Sequence, residues 1–201
     1  ESEVHEVHGA AKRTWHATRA SADFAIPDNL QSLLAARMDR LEESTRGTLQ
    51  LASVIGRSFY HRVLQAVDEA SPELDSHLGT LLRMELIREA ARLPEIEYAF
   101  RNPLTQEAVY KTILIKRRRT FHQRVGEAVE SIYADRLDGL FGLLAYHFAL
   151  AHEHEKAIEY YRKAARQAVA LFAYDDAIQN LRNALKLIGE GKQTETHRIL
   201  L

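Results

Sequence analysis

The sequence predicts a mainly α-helical chain in which a leading helical unit, closed by one β-hairpin, is followed by a helical array. Three observations carry this. Apolar residues recur at helical spacing over most of the chain beyond residue 26. One segment departs from that period: Ile96, Tyr98 and Phe100 alternate with Glu97, Ala99 and Arg101, the period of a strand. Two octapeptides, AIEYYRKA at 157–164 and AIQNLRNA at 177–184, repeat each other at an offset of 20 residues, as in a stacked helical array.

Composition narrows the class. The chain has 201 residues, enough for one or two domains with a real core. Its 27 Lys and Arg nearly cancel its 28 Asp and Glu, whereas a nucleic-acid binder is usually basic, at least locally. It has no Cys, which excludes disulfide scaffolds and Cys-based zinc sites and leaves the cytoplasm as the default location. No apolar run approaches the roughly 18 residues of a membrane span. The chain begins without Met and stops in mid-pattern at ETHRILL, which reads as a fragment of a longer protein.

Residues 1–25, with the only Trp at position 15, lack a clean period and read as a linker or the tail of an upstream domain. A first helix opens at IPDNLQSLLAARMDRL, with Asp28 and Gln31 as its capping pair and Leu30, Leu33, Leu34, Met38 and Leu41 on one face. STRGTLQLASVIG is a second helix, apolar on most sides at Leu49, Leu51, Ala52, Val54 and Ile55 and closed by Gly56. A short helix follows near Tyr60–Val67. SPELDSHLGTLLRMEL opens on Ser71 and Pro72 and presents Leu74, Leu78, Leu81 and Leu82. The hairpin runs from residues 86–92 through Leu93-Pro94-Glu95 to residues 96–101, and a third short strand near Ser58–Tyr60 is compatible with it. Helices followed by a hairpin are the order of a winged helix, here over residues 26–101. A connecting helical pair spans 102–136, one helix lined by Leu104, Val109, Ile113 and Leu114, the next by Phe121, Val125, Val129, Ile132 and Tyr133. After the Asp138-Gly139 turn the array occupies 137–201. Within it Tyr161 and Leu181 stand as equivalent core knobs, and Ala157, Ala164, Ala177 and Ala184 as close-approach positions.

The basic run Lys116, Arg117, Arg118, Arg119 is the candidate site. Residues 101–124 hold seven Lys and Arg against one acid, Glu107, a density that suits phosphates. The run has no interleaved aromatics to stack on bases. The helix before the hairpin, which reads DNA in many winged helices, carries Glu73, Asp75 and Glu85 against Arg83 and would repel a duplex. The run is therefore expected to dock protein, and nucleic acid is not an expected partner. His147, His152 and His154 do not converge as the three or four ligands of a metal site must, and read as a polar loop. GEGKQT at 189–194 lacks phosphate-loop spacing and reads as a helix stop. No acid/base or nucleophile constellation stands out, so no catalytic, cofactor or metal site is expected.

Ordered motifs give a resemblance. Ile26, Pro27, Arg37, Asp39, Leu41, Ala52, Val54, Ile55, Gly56 and Phe59 match a pattern found after the ATPase core of STAND-type signalling ATPases. Tyr98, Phe100, Arg101, Leu104, Gln106, Glu107, Tyr110, Arg118, His122 and Val125 match its continuation, with Asn102 where the family usually has His. LLAYHFALAHEHEKAIEYYRKA is similar to the family's tetratricopeptide-like (TPR-like) array, although the offset of 20 departs from the usual 34. The likeness covers roughly residues 24–190 and is strongest to predicted ATPases fused to class III adenylate/guanylate cyclases and to large helical transcription activators. It implies a non-catalytic regulatory module without its own nucleotide site. Its partners would be the upstream ATPase domain of the same chain and a protein or small-molecule inducer on the array. Two other classes stay open: a fragment of a DNA-binding regulator, and the regulatory part of a nucleotide cyclase.

Overall fold

The computed structural model describes residues 36–68 and 73–199, with side chains through Gly189. The expectations for residues 1–25, for the Asp28 and Gln31 cap with Leu30, Leu33 and Leu34, and for Ser71 and Pro72 lie outside the described residues. A helical turn over 36–39 leads, with Met38 and Leu41 buried. Then come α1 (Glu43–Ile55), β1 (Ser58–Tyr60), α2 (His61–Val67), α3 (Leu74–Arg83), β2 (Ile87–Ala91) and β3 (Glu97–Phe100). The remaining elements are helical: α4 (Pro103–Thr112), α5 (Ile115–Ile132), a 3-10 turn (Ala134–Arg136), α6 (Phe141–Ala151), α7 (His154–Ala170) and α8 (Tyr174–Ile199). The described chain is thus mainly helical with one small antiparallel sheet. No described helix is long and apolar enough to cross a membrane.

Helix α1 is central because it is apolar nearly all round, with Leu49, Leu51, Ala52 and Val54 buried. Its buried hydroxyls are satisfied by neighbours. Thr48 Oγ1 donates to Asp68 Oδ2 at 3.0 Å and lies 3.0 Å from His77 Nδ1, joining α1 to the end of α2 and to α3. Gly56 ends the helix at φ 156°, a conformation that side-chain-bearing residues rarely adopt, and lets the chain turn into β1. The sheet order is β1-β3-β2, with Phe59 opposite Tyr98 and Ile87 opposite Phe100. Phe59 packs its ring 5.8 Å from Tyr98 and 6.1 Å from Phe100.

The simple in–out alternation expected of residues 96–101 holds only in part. Ile96 precedes the strand and is exposed, whereas Tyr98, Ala99 and Phe100 are all buried. β3 is the middle strand, so Ala99 lies between Ser58 and Arg88 on its own face, and a small side chain between two larger ones is covered.

Asn102 Oδ1 accepts from Leu104 N at 2.9 Å and caps α4, with Pro103 at the first helical position. The chain turns extended at Ile113, so helical phase is lost there: Ile113 is buried but Leu114, expected on the same apolar face, is 77% exposed. The long α5 then packs against α1 and α2 on one side and α6 on the other, and α6, α7 and α8 follow in sequential contact. At Gly126 a Cβ would stand 3.0 Å from the Phe148 ring, so the closeness of α5 and α6 depends on that glycine. Glu130 binds the Tyr160 hydroxyl and, at 3.2 Å, Lys156, tying α5 to α7.

The array differs from expectation in two places. Tyr161 is buried, and Ala157, Ala164, Ala177 and Ala184 are buried at helix contacts, but Leu181 is 47% exposed. Matched spacing does not give matched environment: α8 meets α7 through Ala177, Ala184 and Leu187, about a quarter-turn around from Leu181. The stop expected at GEGKQT is absent, since α8 continues to Ile199. Glycine within a helix costs only about 1 kcal/mol relative to alanine and, without proline, does not end one. Buried side chains from Met38 to Leu187 form one contiguous cluster, so the expected segments 26–101, 102–136 and 137–201 share a core.

Leu81 is fully buried, and Leu81→Ala is expected to lower unfolding free energy by about 2–5 kcal/mol in urea titrations. Leu181→Ala is expected to lower it by less than about 1 kcal/mol, as suits a half-exposed side chain.

Candidate docking site

The basic run starts α5, where the helix dipole disfavours cations, so local packing must decide where each side chain goes. Arg118 turns back onto the end of α4. Its Nε donates to Ile113 O at 2.7 Å and its Nη2 to Lys111 O at 2.8 Å, and its guanidinium lies 4.7 Å from the centre of the Tyr110 ring. These bonds satisfy carbonyls at the end of α4 that have no helical donor. Arg118 is therefore held as a structural clasp, its guanidinium turned back onto α4.

Others of the seven cations are also engaged. Arg101 pairs with Glu85 at 2.9 Å and Lys111 with Glu107 at 2.9 Å, and Arg124 donates to Val67 O. Lys116, Arg117 and Arg119 stay exposed, with Arg117 5.0 Å from the Phe121 ring centre. Among the described residues no carboxylate forms an ion pair with any of the three. Beside them Leu114 and Ile115, 77% and 67% exposed, add an apolar edge. The surface is thus a mixed patch of three cations and two aliphatic side chains on one helix start.

Beneath it lies a buried polar chain that sequence reasoning missed. Tyr110 Oη is 2.9 Å from His122 Nε2, and His122 Nδ1 is 2.9 Å from His147 Nδ1. Both histidines are buried, and His147 Nε2 has no hydrogen-bond partner. Two proton arrangements fit this geometry. The less costly has His147 Nδ1–H donating to His122 Nδ1 and His122 Nε2–H donating to Tyr110, because it orphans a lone pair rather than an N–H. Both arrangements have neutral rings, the form that burial favours. Burial, and secondarily the Arg118 charge, pushes His122 down to about 4, and burial with the His122 neighbour pushes His147 well below the usual histidine range. Burial likewise raises Tyr110, against the pull of Arg118.

His147 is therefore not in a polar loop, as expected of the His147, His152 and His154 group. It sits inside α6 beside Leu144 and Phe148, while His152 and His154 stack 5.5 Å apart at the turn after it. A signal existed: His122 shares a helical face with Val125 and Val129. Its pairing with a residue 25 positions away is a tertiary fact with no local trace. Among the described residues no group of three or more His, Cys, Asp or Glu is placed to hold a metal ion.

No family model matches the chain, and no solved structure matches it. It is 27% identical over 182 residues to an uncharacterized protein of Rhizobium meliloti (strain 1021), a match that covers 90% of this chain and 18% of that protein. The chain thus spans about a fifth of the relative's length.

Removing the clasp should be costly. Arg118→Ala is expected to destabilise the fold by about 1–3 kcal/mol through unpaired helix-end carbonyls, while Arg119→Ala stays within about 0.5 kcal/mol, both read by urea denaturation. The histidine pair sets a pH dependence. Its folded pKa values lie below the unfolded value of about 6.5, so unfolding takes up protons. The stability that the neutral pair contributes is complete above about pH 6.5 and is lost as pH falls towards about 4, at up to about 1.4 kcal/mol per pH unit for each proton. Urea midpoints between pH 7.5 and 4.5 should fall more steeply for the native chain than for His147→Asn.

Proposed function

We propose that this chain is a non-catalytic regulatory and protein-interaction module of a STAND-type ATPase signalling protein, of the kind associated with adenylate or guanylate cyclases. In this reading residues 26–101 are a winged-helix unit, residues 102–136 a connecting helical pair, and residues 137–201 a TPR-like array that senses an inducer. An upstream nucleotide domain docks on the start of α5. The order helix, strand, helix, helix, strand, strand supports the first part, and the sequential packing of α5 to α8 supports the second. Asn102, at the family's His position, caps α4, a role in which a side-chain acceptor is the essential feature.

One observation carries the choice of protein over nucleic acid as the docking partner. Lys116, Arg117 and Arg119 sit beside exposed Leu114 and Ile115. Arginine combined with aliphatic surface is a protein-interface composition, whereas a phosphate-tracking face is cationic and polar. The expected partner surface is acidic with an apolar pocket. A module of this kind switches by making that contact in one nucleotide state and releasing it in another.

Arg118 is held internally, so the test replaces the other three cations. Lys116→Glu/Arg117→Glu/Arg119→Glu should fold as the native chain does, because exposed charges contribute little to stability. Native and triple-variant chains should both show no measurable affinity for generic duplex DNA at about 0.15 M salt, where the Debye length is about 8 Å. Calorimetry with ATP and magnesium should show no saturable binding. In the intact ATPase the triple variant should change ATPase control. Steeply salt-dependent DNA affinity, abolished in the variant, would replace this reading with a DNA-binding regulator; micromolar ATP binding would sink it altogether.

A further inference from the structure

Helix α8 presents two stripes. Ala177, Ala184 and Leu187 are buried against α7, while Tyr174, Ile178, Leu181, Leu185 and Ile188 form a second apolar line that is exposed along its whole length. At about 100° per residue the exposed line is centred roughly 100° around the helix from the buried one. The steps along it are four, three, four and three, the spacing of the a and d positions of a coiled-coil seam. In the turn before the helix Leu171 and Phe172 are also exposed, and Phe172 packs edge-on to Tyr174 at 6.4 Å. These side chains are contiguous along the helix, unlike the singly scattered apolar residues that are ordinary on a surface.

The charges beside the seam narrow the choice of occupant. On the flank away from α7 stand Asp175 and Arg182, both exposed and one heptad apart. They are the e positions of the seam, and e positions face each other when two such helices run antiparallel. Laid antiparallel on itself, with a two-fold axis between residues 179 and 180, the helix pairs Ile178 with Leu181 and Tyr174 with Leu185 of the second copy. In that register Asp175 falls beside Arg182 of the second copy, and the symmetry repeats the pair. A parallel alignment in register would instead separate the two charges by a heptad and place no opposite charge across the seam.

We propose that α8 is a homodimerisation helix, whose exposed seam pairs antiparallel with the same seam of a second copy of this chain. The surface is isologous: each residue it offers is matched by one the other copy supplies. The interface leaves the start of α5 free, so dimer formation and the docking described above are separate events.

Sedimentation equilibrium of the 201-residue chain tests this. The expected result is reversible association to about 46 kDa, twice the 22.9 kDa of one chain. Leu181→Glu, at an exposed position, should keep the native circular dichroism and sediment as a monomer; Leu185→Lys should do the same. Asp175→Arg and Arg182→Asp should each weaken association by tenfold or more, because each sets like charges opposite one another. The double variant Asp175→Arg/Arg182→Asp restores both pairs and should return to within about threefold of the native chain. A chain that stays monomeric at about 100 µM would overturn the proposal and leave the seam to another occupant, a further helix of the same polypeptide or a different protein. Dimers that survive Leu181→Glu, or that the double charge exchange fails to rescue, would overturn it equally.

Discussion

Everything else in this fold is arranged around the fact that α5 must be buried on two sides at once. On one side Arg124 reaches the end of α2 at Val67 O, and Tyr133 and Arg136 hold Glu95 at the tip of the hairpin at 3.0 and 2.8 Å. On the other, Gly126 admits the Phe148 ring and His122 meets His147. A helix caught between two packed layers has little solvent face left. That face is widest at its first turn, where Lys116, Arg117 and Arg119 emerge. The position of the cationic patch follows from packing rather than from any local preference, since the start of a helix is the less favourable end for positive charge.

The same double burial accounts for the polar groups inside. Desolvating a hydroxyl or an imidazole is tolerable only when it is bonded. Thr48 with Asp68 and His77, and Tyr110 with His122 and His147, meet that demand at each hydroxyl and at one or both nitrogens of each ring, leaving His147 Nε2 unbonded, with side chains drawn from two or three elements each. Such pairs fix relative position more sharply than apolar contact does, because a shift of an ångström breaks the bond while leaving buried area nearly unchanged.

Much of this was legible in the sequence, and the failures have a common cause. Periodicity placed α1, α3, α5 and the hairpin because the apolar residues of each recur at the spacing of its own backbone. It misjudged Leu114, since a break at Ile113 resets the helical phase, and Leu181, since a repeat records spacing but not which side the next helix takes. It read His147 as loop because clustered histidines look polar, although the residues around it are apolar. The basic run was visible at once, but the clasp made by Arg118 was not. Which of four adjacent cations folds inward depends on where α4 ends, and that is set by backbone geometry at Ile113 rather than by charge.

The unbroken core from Met38 to Leu187 bears on how such a module can respond. With no apolar seam dividing the sheet-bearing part from the helical stack, the described chain has no weak plane along which one half could loosen while the other stays native. Hydrogen exchange of the deepest amides in α1 and α6 would then report a single opening event rather than two. A destabilising change beneath the start of α5 and one beneath α8 would therefore lower the same unfolding free energy, although binding at either surface of the native fold remains a separate event.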